Sequence, residues 1–239
     1  RYRGPNGTGE SETVMPANWT DADYAWVADL PGIGHASPVI WADKVFVQSA
    51  DSDGTQWVLC LNAKDGSQVW AKSFQSHPYH IHARNSFASS TPSVSKDAVY
   101  VAFATPEQIT LLALSHSGEL IWKREDLGGY ASQHGFASSP VLFGDTLVLT
   151  SLQQSKDGTP TGSSVMAFDR STGADLWSTP RVSGKASYSV PCLHATDAGD
   201  ELVLCSTTHG MFGLDLSTGK ETWSVPQAFS MRTVSSPLI

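Results

Sequence analysis

Apolar residues in this chain fall in short strand-length runs, such as Lys44-Val45-Phe46-Val47, Ala98-Val99-Tyr100-Val101 and Leu147-Val148-Leu149. Each run is entered through a tight polar or small-residue turn, Ala42-Asp43, Lys96-Asp97 or Gly144-Asp145. Alternating β-rich runs joined by such turns predict antiparallel hairpins. A longer phrase recurs in phase with them: an apolar residue, a polar stretch, a glycine, three residues and a tryptophan. Its four copies end in Gly66/Trp70, Gly118/Trp122, Gly173/Trp177 and Gly219/Trp223, with the tryptophans spaced by 52, 55 and 46 residues.

A second marker keeps the same period. Proline-led segments begin at Ser37-Pro38, Thr91-Pro92, Ser139-Pro140, Val190-Pro191 and Ser236-Pro237. Each unit thus reads as a proline-led inner strand, its hairpin partner, a third strand ending in Leu61, Leu114, Phe168 or Leu214, and an outer strand with the tryptophan. Four antiparallel strands per about 45–50 residues is the arithmetic of a propeller blade. The pattern predicts an all-β protein, a β-propeller of four-stranded antiparallel blades. Blade units are expected at residues 36–72, 88–124, 137–179 and 188–225, after an N-terminal extension over 1–23. Partial strands are expected at 24–30, where Trp26 has the position of an outer-strand tryptophan, and at 234–239, so the four complete blades imply a parent ring of about seven or eight. In each repeat the glycine serves a turn needing positive φ, and the polar residues before it cap that turn.

The 239 residues carry 15 basic and 23 acidic side chains, a formal charge of −8, with no basic stripe. That balance argues against a nucleic-acid partner. No apolar run approaches the ~18–20 residues of a membrane-spanning helix, so no transmembrane segment is expected, and the opening Arg1 to Gly7 lacks the apolar core of a signal peptide. Three cysteines leave at least one unpaired. Cys60 reads as a buried strand thiol. If Asp197 to Asp200 form a four-residue turn, Thr196 pairs with Glu201 and Cys192 lies opposite Cys205, where a cross-strand disulfide is geometrically allowed. Two small residues filling a blade core is the other reading.

The phrase is complete in Asp169-Arg170-Ser171-Thr172-Gly173-Ala174-Asp175-Leu176-Trp177 and in Asp215-Leu216-Ser217-Thr218-Gly219-Lys220-Glu221-Thr222-Trp223. With its proline-led inner strands, the chain resembles the pyrroloquinoline-quinone (PQQ) type propeller repeat over residues 24 to 239. That repeat family includes quinoprotein alcohol dehydrogenases, the propeller lipoprotein of the bacterial outer-membrane protein assembly machinery and many extracytoplasmic bacterial propellers. The opening Arg3-Gly4-Pro5-Asn6-Gly7-Thr8-Gly9, with Leu30 to Pro38 and Ser86 to Pro92, is most similar to the last group. The resemblance implies an extracytoplasmic, periplasmic or secreted location. For the dehydrogenases it implies a quinone under a disulfide of adjacent cysteines, a Ca²⁺ held by Glu, Asn and Asp, and an Asp base. This chain has no Cys-Cys pair and no stretch that matches those positions.

Chemistry is expected in the linkers just upstream of each proline, at one mouth of the channel. Five of the eight histidines, His35, His77, His80, His82 and His134, fall there. His80 and His82, two apart, point the same way in an extended segment and are candidates to share a divalent metal with His35 or His134. Acidic ligands are scarce in these linkers, and Arg84, Asn85, His134, Tyr188 and Arg232 form the alternative, a pocket for an anion or sugar. Hydrogen-bonded packing of the mouth is the third reading. Asp51-Ser52-Asp53-Gly54 has the oxygen spacing that opens a Ca²⁺ loop but lacks the later ligands, so it reads as a hairpin turn. The polar insertion Gln153 to Gly162 reads as a solvated or partner-binding loop, and the in-phase serines before each proline as scaffold.

Together these features favour a non-enzymatic extracytoplasmic propeller that presents channel-mouth loops to a protein or saccharide partner, with no confidently assigned cofactor. A PQQ- and Ca²⁺-dependent oxidoreductase and a metal-dependent enzyme built on the histidines are the alternatives. The architecture alone does not choose among them.

Overall fold

The computed structural model describes residues 1–154 and 162–239. Residues 155–161, the middle of the polar insertion, lie outside that description. The fold is all-β, with sixteen strands among the described residues, in four antiparallel sheets taken up in strict chain order. Blade 1 is β1 (Val39–Trp41), β2 (Lys44–Ala50), β3 (Gln56–Asn62) and β4 (Gln68–Phe74). Blade 2 is β5 (Ser93–Val94), β6 (Ala98–Ala104), β7 (Ile109–Ser115) and β8 (Leu120–Arg124). Blade 3 is β9 (Val141–Phe143), β10 (Thr146–Ser151), β11 (Ser163–Asp169) and β12 (Asp175–Arg181). Blade 4 is β13 (Cys192–Thr196), β14 (Gly199–Ser206), β15 (Gly210–Asp215) and β16 (Glu221–Val225).

The central strands are apolar throughout because both faces are covered. In β6, Val99, Val101 and Phe103 pack with Phe46, Val58 and Cys60 of blade 1. The intervening Ala98, Tyr100 and Ala102 pack with Leu147, Leu149 and Phe168 of blade 3. A third cluster joins Val148, Val165 and Ala167 to Leu202, Leu204 and Phe212. Strand period two therefore alternates between two neighbours rather than between core and water. Hydrophobic burial between blades is the main stabilising term of such an arrangement.

The tryptophan of each blade reaches the next one. The indole Nε1 donates from Trp70 to His116 O at 3.0 Å, from Trp122 to Arg170 O at 2.9 Å and from Trp177 to Leu216 O at 2.8 Å. The same rings lie against Gly118, Gly173 and Gly219, whose φ values are +83°, +72° and +69°. A Cβ on Gly118 would come within 2.9 Å of Trp70, and one on Gly173 within 2.7 Å of Trp122. The repeat glycine therefore answers two demands, a left-handed turn and room for a neighbouring indole. Trp26 behaves likewise, donating to Ala63 O at 3.0 Å and lying on Gly66. The carboxylate before the glycine caps the turn as expected. Asp169 Oδ1 accepts from the Ser171 and Thr172 amides, both at 2.9 Å, and from their hydroxyls, which hold its carboxyl below the usual range.

One regularity escapes the linear pattern. Register shifts fall at Cys60/Leu61, Ala113/Leu114, Ala167/Phe168 and Gly213/Leu214, the same place in every blade. The unpaired residue is the one before the tryptophan: Val69, Ile121, Leu176 or Thr222. A bulge there turns the next side chain out of strict alternation. It leaves Val69, Ile121 and Leu176 about half exposed while the indole points at the neighbouring blade.

The in-phase serines are scaffold. The amide of Ser37 donates to Thr91 Oγ1 at 3.0 Å, that of Thr91 to Ser139 Oγ at 2.9 Å, and that of Val190 to Ser236 Oγ at 3.0 Å. Each residue before a proline is thus tied to its counterpart one blade on, and the missing link falls at Val190, which has no hydroxyl.

Two expectations need correction. Cys192 pairs with Val203, because Thr196 pairs with Gly199 across a two-residue turn, and Cys205 pairs with Met211. The shorter turn slips the register by two, and all three cysteines are free and buried. Cys192 Sγ instead contacts the Pro237 and Asn6 carbonyl oxygens. Residues 24–30 and 234–239 form no strand ladder: Trp26 bonds to Ala63 O of blade 1, and Ser235 O and Ser236 Oγ accept from Ser189 Oγ and the Val190 amide, contacts made by side chains rather than a strand ladder. The N-terminal segment docks on the inner strand of blade 4. Asn6 Nδ2 donates to Leu193 O at 2.9 Å while Oδ1 accepts from Leu193 N at 2.7 Å, so its side chain mimics a strand residue.

Candidate binding face at the inter-blade linkers

Because the strands of each blade alternate in direction, every inter-blade linker emerges on the same face as the hairpin between the second and third strands. Residues 75–92, 125–140, 182–191 and 226–236 therefore share that face with the hairpins at 51–55, 105–108 and 207–209. The Asp-x-Ser-Thr-Gly turns lie on the opposite one.

All four linkers interlock there. Arg232 Nη1 donates to His134 Nε2 at 2.9 Å, and Nη2 donates to Gln154 Oε1 at 2.8 Å. Asn85 Nδ2 donates to the His134 carbonyl and Oδ1 accepts from Ser89 Oγ. Tyr188 Oη meets Ser132 Oγ at 2.5 Å, and the Tyr188 amide donates to Thr233 O at 3.0 Å. Of the five candidate ligand residues, Asn85, His134 and Arg232 meet directly, and Tyr188 joins through the linker that carries Ser132. Arg84 is exposed, and its amide donates to His82 Nδ1 at 3.2 Å.

Proton positions follow from donor chemistry. Arginine has only donors, so His134 presents an unprotonated Nε2 to it and Gln154 presents its amide oxygen. Burial, then the Arg232 guanidinium, then His82 hold the His134 imidazole below its ordinary range. A histidine whose folded pKa is lowered contributes stability above its unfolded pKa, and loses it as pH falls through the folded value. The Arg232–His134 bond should thus be intact above about pH 6.5, the unperturbed histidine value, and break on acidification below it. Histidine NMR titrations of the protein and of Arg232→Ala test this. Removing the guanidinium is expected to move the His134 midpoint upward.

The four histidines expected to share a metal are not gathered. His35 Nδ1 is tied to Ser86 Oγ at 3.0 Å, and His80 faces a separate cavity. Only His82 and His134 are neighbours, with ring centroids 4.9 Å apart. His134 Nε2 is occupied by a cation, which opposes a second one. Among the described residues no three His, Cys, Asp or Glu side chains come close enough to hold an ion. The same residues do not fit a Ca²⁺–quinone pair, whose carboxylates and vicinal cysteines have no counterpart here. Asp51 and Asp53 form a hairpin turn as expected, Asp51 Oδ2 accepting from Trp57 Nε1 at 2.8 Å and Asp53 Oδ1 from the Thr55 amide at 2.9 Å.

Gln154, Ser132, Tyr130 and Tyr79 were not singled out by sequence reasoning. Gln154 sits at the edge of the polar insertion, and the other three lie in or beside histidine-bearing linkers, which was the available signal.

A family model described as outer membrane protein assembly factor BamB matches residues 8–126 and 54–238. The chain belongs to this family of PQQ-like propeller repeats. No curated protein matches the sequence. Among solved structures, BamB from Moraxella catarrhalis superposes with a TM-score of 0.56 at 20% identity, over 87% of this chain and 55% of that one. A quinohemoprotein alcohol dehydrogenase from Pseudomonas putida HK5 gives 0.55 at 15% identity, over 79% of this chain and 34% of that one. One from Comamonas testosteroni gives 0.56 at 13%, over 82% and 35%. The chain therefore spans about half the BamB chain and a third of the dehydrogenases. At these identities the superpositions establish a shared fold. No helix among the described residues of this BamB-family chain is long and apolar enough to cross a membrane.

Proposed function

We propose that this chain is the binding part of a non-enzymatic extracytoplasmic propeller of the BamB family, holding a protein partner on its linker face. The observation that carries the reading is the Arg232–His134–Gln154 and Asn85–His134 network. Linkers from three inter-blade junctions are fixed to one another before any partner arrives, and a pre-ordered polar surface loses less conformational entropy on binding. The family description as an outer membrane assembly factor supports a protein partner and a periplasmic location.

Photocrosslinkers placed at exposed Arg84 and Gln133 on the linker face, and at exposed Lys64 and Asp197 on the opposite face, test this in envelope extracts. Discrete adducts are expected from the first pair alone, weakened at least several-fold by Arg232→Ala. Equal adducts from both faces would remove the linker face as the binding surface. A saturable absorbance change on adding PQQ and Ca²⁺ would replace the reading with an oxidoreductase.

A further inference from the structure

A cavity of 650 Å³ opens on the linker face beside blade 1. It lies where three pieces of chain meet: Gly32 and Ile33 on the way into β1, the β2–β3 hairpin, and the linker between blades 1 and 2. Ile33, Ile81 and Phe87 give it an apolar wall, and the hairpin contributes Asp51 and Asp53. No Lys, Arg or His is among its described lining residues. Neither carboxylate forms an ion pair with a described cation.

Both halves of the wall are held in place. Ile33 is 67% exposed, yet its amide donates to Ala50 O and its carbonyl accepts from the Ala50 amide, both at 2.9 Å. The amides of His35 and Ala36 donate to Ala88 O, which pins the same segment to the linker. An isoleucine fixed in this way presents apolar surface that the described residues leave uncovered. Phe87 is braced by Tyr79, with ring centroids 5.1 Å apart. The carboxylates are fixed as well: Asp51 Oδ2 accepts from Trp57 Nε1 and Asp53 Oδ1 from the Thr55 amide. One oxygen of each has no described partner. Asp51 Oδ1 would lie 2.9 Å from a Cβ on Gly32, so it is on the side of the hairpin that Gly32 and the cavity share. Asp53 is exposed, and the Thr55 amide and then its hydroxyl hold the Asp53 carboxyl below the usual range, so it is ionised at neutral pH.

We propose that this cavity anchors a segment of the protein partner, taking an apolar side chain against Ile33, Ile81 and Phe87 and an adjacent lysine or arginine on Asp51 and Asp53. Charge complementarity selects this occupant. Two carboxylates with no cation beside them attract a basic residue and repel an acidic one. A bare amine or metal ion would answer the carboxylates and leave Ile33 in water, whereas an apolar residue next to a basic one covers both. The inference rests on the protein-binding reading of the linker face and names what the partner presents there.

The test is ligand-observed NMR of the whole chain with blocked hexapeptides of glycine and serine that carry Leu-Lys, Leu-Arg, Phe-Lys or Phe-Arg at the centre, against Leu-Glu and Ser-Lys as controls. At least one of the four is expected to bind about fivefold or more tighter than either control, and more weakly as salt is raised. Ile33→Ser removes an exposed side chain, keeps both backbone bonds and is expected to weaken that peptide about fivefold. Asp51→Asn/Asp53→Asn keeps an acceptor oxygen for Trp57 and Thr55 and is expected to weaken it by about as much. Thermal unfolding checks that both variants are folded. Absence of binding by all four peptides at about 5 mM, the weak end of measurable affinity, would overturn the proposal. So would equal affinity for Leu-Glu or Ser-Lys, or unchanged affinity in the folded variants. A concentration-dependent dimer that Ile33→Ser abolishes would put a second copy of this chain in the cavity and overturn it too. The photocrosslinks at Arg84 and Gln133 separate the two readings: if they form and do not weaken in Ile33→Ser, the linker face stands and this cavity falls, and if none form, both fall.

Discussion

Trp122→Ala is expected to lower the unfolding free energy by about 3 kcal/mol, the lower end of the range for removing a buried aromatic side chain, because the indole is only partly buried. Three losses coincide. The ring leaves its place beside Tyr100, 6.1 Å between centroids, and the cluster that joins blades 2 and 3. Its Nε1 bond to Arg170 O disappears, and the carbonyl loses a donor from the neighbouring blade. The surface above Gly173, shaped for an aromatic plate, is left open. Urea unfolding followed by far-ultraviolet circular dichroism should show a lower midpoint. Trp223→Ala is the internal comparison. That indole donates to Glu201 Oε2 of its own blade at 3.1 Å and lies against its own Gly213. Its loss breaks no inter-blade bond and should cost roughly 1 kcal/mol. Equal costs for the two would show that the indole acts within its own sheet rather than between sheets.

This comparison also marks what the sequence discloses. Strand number, blade order and the tryptophan–glycine phrase are legible because they follow from local pattern repeated four times, and Trp26 is recognised as a member of the series because it keeps the period. The bulge before each tryptophan is not legible. Val69, Ile121 and Leu176 look like core residues, since an unbroken alternation would bury them, and only the ladder shows that one residue is skipped. The Cys192 register failed for a related reason. Asp197 and Ala198 close the turn alone, and a difference of two turn residues moves the pairing by two positions. At the linker face, residue types were readable but their convergence was not. Arg232 and His134 are 98 positions apart, and only blade packing brings them together. His35 and His80, equally plausible by type, are drawn elsewhere by Ser86 and by the cavity wall.

Gly219→Ala carries the second large effect, and Gly144→Ala isolates its cause. Both glycines are left-handed, at φ +69° and +58°, so each alanine bears the strain of about 1–2 kcal/mol that a Cβ meets there. Around Gly144 there is open space, with no heavy atom within 4 Å of the added carbon, and the cost should end at that strain. At Gly219 the same carbon would lie 2.6 Å from Thr179 Oγ1 and from Trp177 Cδ2. Neither can retreat freely, because Thr179 Oγ1 donates to Gly219 O at 2.6 Å and Trp177 Nε1 donates to Leu216 O. Displacing them opens the seam between blades 3 and 4, adding about 1–3 kcal/mol of overpacking to the strain. The total for Gly219→Ala, roughly 3 kcal/mol or more, should be at least twice that of Gly144→Ala in paired urea titrations. Trp177→Ala should recover part of the difference, since removing the plate frees the space that alanine needs. If the double variant is instead as unstable as the two single losses added together, the glycine is there for its turn alone, and the close approach of the indole is incidental to its choice.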